Sequence, residues 1–305
     1  MFRSRTFLVA VPALVILALL PFGVDGYILG LLTLAYYYAV FAMSWDLLFG
    51  FAGEVNFGPS FLIGVGAYTA ALLNHYWHWP IPACLVVGSI AAVIAGVALA
   101  VPALRLTGPY FGLVTLVAVL LLQNVLVLFA GVTGGEIGLD LPDVLAIDDH
   151  TNYYYALGFM TISGAVLYGL SCSPVGLILQ ASGQDAVEAS ALGFNVAKHK
   201  LAAFCISAFF SGLSGAMLIF YLGTASVGTV VDIAVGVNVI IAAVLGGRRT
   251  IIGAAVGSIF LIGAGEILRP LGQLSTFVVS AVALLVILFF PGGFLGRVLQ
   301  AGGRE

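Results

Sequence analysis

Ten apolar runs, each closed by glycine, proline or a charge, follow one another along this chain with little polar sequence between them. A helix crossing the hydrocarbon core of a bilayer needs roughly 20 apolar residues, so the chain has room for about ten crossings. The runs fall at 7–22, 28–49, 59–73, 81–101, 110–130, 153–170, 201–222, 233–245, 251–268 and 274–290. Only 8% of residues are charged, against about 25% in soluble domains. No linker, charge block or low-complexity tract divides the runs. Residues 1–305 therefore read as one transmembrane domain of an all-α polytopic membrane protein. The runs at 59–73 and 233–245 are short for a full crossing, which predicts tilted, broken or re-entrant helices there.

Basic residues set the orientation, because Lys and Arg accumulate on the cytoplasmic side. With the N-terminus inside and ten crossings, Arg3, Arg5, Arg105, Lys198, Lys200, Arg248, Arg249, Arg297 and Arg304 all fall inside, and only Arg269 falls outside. Both termini are then cytoplasmic. Residues 131–152 become an outer loop carrying Glu136, Asp140, Asp143, Asp148 and Asp149 with no Lys or Arg. Arg3 and Arg5 ahead of an apolar run would also suit a secretory leader. Residues 22–26 offer a poor small-x-small cleavage site, so the first run is read as a retained helix.

One long polar stretch, 172–200, falls inside. Within it Gln184, Asp185, Glu188, Ala189, Ala191, Leu192 and Gly193 belong to a helix-compatible run closed by glycine. A chain this poor in charge keeps such a segment for a partner, and the run reads as a docking helix for a cytoplasmic protein.

Ionisable groups at membrane depth are costly and are functional candidates by default. Asp46 lies near the inner end of the second run. Gly50, Gly53, Glu54, Asn56, Phe57 and Gly58 follow, with Pro59 next. Glycine and proline at this density break the helix, and irregular backbone at that depth must be buried in protein or line a wet cavity. Segment 50–58 is therefore read as bordering a translocation route. Glu266 and Arg269 are spaced to pair at the outer end of their helix, either as a stabilising pair or as a gate. Asp232 is placed to cap the start of the eighth run, 233–245. His75, Trp77, His78 and Trp79 read as an aromatic belt at the outer boundary rather than half of a metal site.

The small residues at 64–67, 211–216 and 253–257 form faces on which helix backbones approach closely. Such packing serves contacts inside one subunit or an interface with another. Cys84, Cys172 and Cys205 have no paired spacing and read as structural thiols. There is no glycine-rich phosphate loop, so ATP is not hydrolysed by this chain. Nor does the sequence hold a His-Glu-x-x-His motif or an intramembrane Ser–His dyad, and the net charge of −3 gives nucleic acid no footing.

Several stretches together resemble the permease subunits of bacterial ABC importers for branched-chain amino acids, of the LivM type. They are Gly50-x-x-Gly53-x-x-x-Phe57-Gly58 with Phe61-x-x-Gly64-x-Gly66-Ala67-Tyr68, then Leu104-Arg105-Leu106-x-Gly108-x-Tyr110 with Val114-Thr115-Leu116. Thr133-Gly134-Gly135-x-x-Gly138-Leu139 and Ala191-Leu192-Gly193-x-Asn195-Val196-x-x-x-Lys200-Leu201-x-Ala203-Phe204 follow. Val244-Leu245-Gly246-Gly247 and Phe290-Pro291-Gly292-Gly293 add to them.

The resemblance implies an inner-membrane importer with a second, LivH-like permease subunit, two ATPases that bind the ATP and Mg, and a periplasmic binding protein. It implies no cofactor in this chain. Loop 172–200 then corresponds to the ATPase-docking segment, though Gly193 comes one residue early for the family's Glu-Ala-Ala-x-x-x-Gly spacing. Glu54 stands where the family tends to have a neutral amide. Relatives that move urea, amides or aromatic acids are the alternative, and an ion-coupled secondary transporter using Asp46, Glu54 and Glu266 is the rival class.

Overall fold

The computed structural model describes residues 14–104, 106 and 109–272, with isolated positions at 12, 274, 278 and 281. Apart from those isolated positions, the expected run at 274–290 and the start of the run at 7–22 lie outside the described residues, as do Arg3, Arg5, Arg105, Arg297 and Arg304.

The described chain is almost wholly helical. Residues 14–19 are helical and end in a 3-10 turn, Leu20–Phe22. There follow α1 (Gly26–Asp46), α2 (Pro59–Trp77), α3 (Ile81–Ala103), α4 (Pro109–Leu128), α5 (Asp149–Ser171), α6 (Pro174–Gln184), α7 (Ala186–Ala191), α8 (Val196–Leu222), α9 (Ile233–Gly246) and α10 (Ile251–Ile267). Single helical turns occupy Ala130–Thr133 and Val227–Val230. A two-residue antiparallel ladder pairs Leu139 with Ala225 and Asp140 with Thr224, a small departure from a purely helical chain.

The starts of these helices follow local chemistry. Prolines sit in the first turns of α2, α3 and α6, where a missing N–H costs nothing. The side chains of Asp148, Ser173, Asp185, Asn195 and Asp232 accept backbone N–H groups at the starts of α5, α6, α7, α8 and α9. The cap predicted at Asp232 is thus present, accepting from Ala234 N at 2.7 Å. Hydrogen bonds from the Thr151 hydroxyl and then its backbone N–H hold the Asp148 carboxyl below the usual range.

Among the described residues, five helical segments are long and apolar enough to cross a membrane: Gly26–Phe51, Ile81–Ala103, Pro109–Leu128, Val196–Leu222 and Val227–Gly246. The pair α5–α6, bent by 69° at its break, makes a sixth if taken as one span. This is a polytopic membrane protein.

Helix α1 is the hub of one half of the molecule. It packs against α5, α8, α9 and α10, and it is buried along most of its length from Tyr36 onward. Polar ties cross between these helices: Ser44 to Ser211 at 2.8 Å, Ser214 Oγ to the Tyr37 carbonyl at 3.1 Å, and Ser258 Oγ to the Ala35 carbonyl at 3.0 Å. Such bonds average roughly 0.6 kcal/mol in membranes, so they orient the helices more than they hold them.

The second half gathers α2, α3 and α8. Here Gly66 meets Gly212, and a methyl group on Gly66 would overlap the backbone of Gly212. The small-residue faces read from the sequence therefore serve packing inside this subunit. Helix α4 lies to one side, with Leu113, Val117 and Leu121 exposed.

The short run at 233–245 is α9, and the reason for its shortness is visible. Ala225 belongs to the ladder with the 131–152 loop, yet Val231 already packs on Gly64 of α2, and Gly236 packs on Pro59 and Ser60. The chain thus already runs along the side of α2 before α9 begins, and the expected break is not needed: residues Val227–Gly246 together are long enough to cross.

Candidate functional site

The two ends of the bundle carry different polar groups. At one end α1 passes into a π turn, Leu47–Phe51, and then leaves helical geometry. Asp46 is fully buried there, and its Oδ1 accepts the Arg249 N–H at 3.1 Å. Arg249 lies in the left-handed region (φ 64°), uncommon for a residue with a side chain, and its Nε donates to the Gly50 carbonyl at 3.0 Å. Arg248 lies 4.4 Å from the centre of the Phe49 ring. Asp46 therefore ties the end of α1 to the turn between α9 and α10.

Segment 50–58 is stitched in rather than loose. Trp45 Nε1 donates to the Asn56 carbonyl at 2.7 Å, Asn56 Oδ1 accepts from Gly58 N at 2.8 Å, and Phe57 N donates to Thr115 Oγ1 at 3.0 Å. Asn56 and Gly58 are buried, and Phe57 is exposed. Gly53 adopts φ 74° and lies against the backbone of Gly183 near the end of α6; a Cβ on Gly53 would sit 2.9 Å from Gly183 Cα. Glu54 Oε1 accepts from Lys200 Nζ at 2.6 Å, with the two side chains only 17% and 15% exposed. Glu54 is thus neither a bulk-solvent residue nor a free carboxylate.

The polar stretch 172–200 is mostly helix. Its first part, α6, buries Gly176, Leu179 and Ser182. Ser173 followed by Pro174 is a start signal that the sequence already carried. The docking run is α7. Gln184 ends α6, Asp185 caps α7 through Val187 N (2.8 Å) and Glu188 N (3.0 Å), Leu192 closes it, and Gly193 turns the chain at φ 89°. Gln184, Asp185, Glu188, Ala191, Leu192 and Gly193 are exposed, whereas Ala189 faces inward at 2% exposure. Val187 (76%) and Leu192 (75%) present apolar side chains outward. Val187 was not singled out from the sequence; the Asp185 cap, which fixes the start of the helix, would have placed it.

The pair Glu266–Arg269 forms as expected, at 3.1 Å. Tyr27 joins it, donating to Glu266 and accepting from Arg269 at 2.7 Å. These groups line a shallow cleft of about 320 Å³ with Gly30, Leu31, Leu34 and Tyr221. Tyr27 opens α1 and Asp46 closes it, so this cluster and the pathway candidates lie about 30 Å apart at 1.5 Å per residue. The structure brings Asp46 and segment 50–58 together with the base of the docking run, and leaves Glu266 and Arg269 at the other end. His75 is spent on the Asp140 carbonyl (2.8 Å), and among the described residues no three His, Cys, Asp or Glu side chains converge as a metal site.

Against known proteins, residues 27–291 match the family described as branched-chain amino acid transport system / permease component. The chain belongs to this family. It is 28% identical to the high-affinity branched-chain amino acid transport system permease protein LivM of Escherichia coli K12, over 96% of this chain and 75% of that one. It is 25% identical to the LivH permease protein of the same organism, over 87% and 93%. Its fold resembles the inward-facing structure of an ABC transporter described as of metal-chelate type, with TM-score 0.51 and 15% identity over 94% of this chain and 99% of that one. The chain is a LivM-type permease, the membrane subunit of an ABC importer, and not an enzyme.

Proposed function

We propose that this subunit forms half of a translocation pathway for branched-chain or other hydrophobic amino acids in the bacterial inner membrane. A LivH-like second permease supplies the other half. Two ATPase subunits bind ATP and Mg and dock on α7, and a periplasmic binding protein delivers substrate. The chain crosses the membrane ten times with both termini in the cytoplasm. Supporting this orientation, the described basic residues Lys200, Arg248 and Arg249 sit at the end of α1 that holds Asp46 and Glu54, while Arg269 sits at the other.

The observation that carries the proposal is α7 itself: a capped helix at the basic end with two apolar side chains held out into water. Exposed apolar groups on an ordered element fit a partner's groove. A carboxylate at Glu54 is the reason to keep urea, amide or aromatic-acid substrates as the alternative. Its neutralisation by Lys200 weakens that reading.

The test is uptake by the permease–ATPase complex in proteoliposomes. Uptake should require ATP and persist with ionophores, and Val187→Asp with Leu192→Asp should abolish ATPase assembly while the permease still inserts. Uptake driven by an ion gradient without ATP would instead support a secondary transporter.

A further inference from the structure

The stretch 184–195, with α7 at its centre, is held on its two sides by two adjacent residues of segment 50–58, Gly53 on one side and Glu54 on the other. On its N-terminal side Gly183 packs backbone to backbone on Gly53. A Cβ on Gly183 would lie 2.5 Å from the Phe51 carbonyl oxygen and 2.9 Å from the Ala52 carbonyl carbon, so no side chain fits between them. On its C-terminal side Lys200 reaches across to Glu54 at 2.6 Å. The π turn preceding Gly53 packs on both α6 and α8. Between the two contacts α7 is exposed except at Ala189.

We propose that Gly53–Gly183 and Glu54–Lys200 form a two-point clasp, with Lys200 and Glu54 as positioning residues, through which displacement of α7 is delivered to segment 50–58 and so to the pathway. This rests on the reading of α7 as the ATPase contact. A helix joined to the rest of the chain by one flexible end would rotate under load without moving anything else. One held at both ends on adjacent residues carries its displacement to them. The contacts differ in kind. The glycine contact has no side chain to change rotamer, so it transmits a push. The ion pair is directional and resists separation, so it transmits a pull. Together they couple in both directions of a cycle.

The experiment reconstitutes the permease with its ATPase subunits and binding protein and measures substrate moved per ATP hydrolysed. Lys200→Met should lower that ratio about tenfold, an ordinary size for coupling between sites, while ATPase assembly is retained. Lys200→Arg, which keeps the pair, should retain most of the ratio. The exchanged pair Glu54→Lys with Lys200→Glu should recover it relative to either single change, read per ATP at equal amounts of assembled complex so that a change in folding alone does not move it. An unchanged ratio in Lys200→Met, or an exchanged pair no better than its singles, overturns the clasp. Failure of the underlying reading looks different: Val187→Asp and Leu192→Asp would then leave ATPase assembly intact.

Discussion

The two ends of α1 each hold a glutamate paired with a basic residue, and the pairs do opposite jobs. Glu266 and Arg269 lie one helical turn apart, with the arginine side chain 68% exposed. Their contact follows from helix geometry, and it reaches another element only through the Tyr27 hydroxyl at the exposed start of α1. Glu54 and Lys200 are 146 positions apart and mostly buried. Their contact joins two elements that nothing else in the local sequence would bring together. A charge pair therefore carries structural information in proportion to its burial and its separation along the chain, and of these two only the Glu54–Lys200 ion pair itself spans distant elements.

The sharpest test is whether the ends face opposite sides of the membrane. A single cysteine at Ile137, 96% exposed in the loop of the Glu266 end, should react with an impermeant thiol reagent applied from the periplasmic side. One at Gln184 should not, and the reverse labelling would place α7 on the wrong side.

Next in size, Glu54→Gln should cost about 2–3 kcal/mol, somewhat below the cost of breaking a fully buried pair, because the Lys200 ammonium loses its partner in a nearly dry site. The unfolding midpoint of the purified permease in detergent reads this.

Ala189→Arg should cost about 1–3 kcal/mol by overpacking. Because Ala189 faces inward, the loss should appear in the isolated permease, before any ATPase is added. Removing the cap with Asp185→Ala should cost about 1 kcal/mol, confined to α7 and seen as faster amide exchange there.

Smallest of all, Glu266→Gln should leave the unfolding midpoint unmoved, as expected of an exposed pair. A large drop would show that the two pairs are alike after all.

Much of the fold was legible because bilayer thickness and backbone hydrogen bonding leave few options. The runs at 28–49 and 81–101 became Gly26–Phe51 and Ile81–Ala103. The site was half legible. Segment 50–58 announced itself through its glycines and carboxylate, and the Glu266–Arg269 pair through its spacing. Lys200 as the partner of Glu54, and Gly183 as the partner of Gly53, left no local signature, because periodicity and capping speak only to neighbours within a turn or two. Ala189 was misjudged as a contact because a helix six residues long is too short for its buried side to be read from pattern alone. Stretch 172–200 looked like one polar loop because its charges outweighed the signals of Ser173 and Pro174.

The meeting of Gly66 with Gly212 bears on where this molecule can move. Cores adapt to motion by letting side chains hop between rotamers, and a seam made of bare backbone has none to hop. Sliding along that seam would have to move whole backbones, so the contact fixes the register of α2 and α8 at a point 12 residues along α8 from Lys200. The looser packing lies outside that seam, at α4, whose Leu113, Val117 and Leu121 face outward with few neighbours.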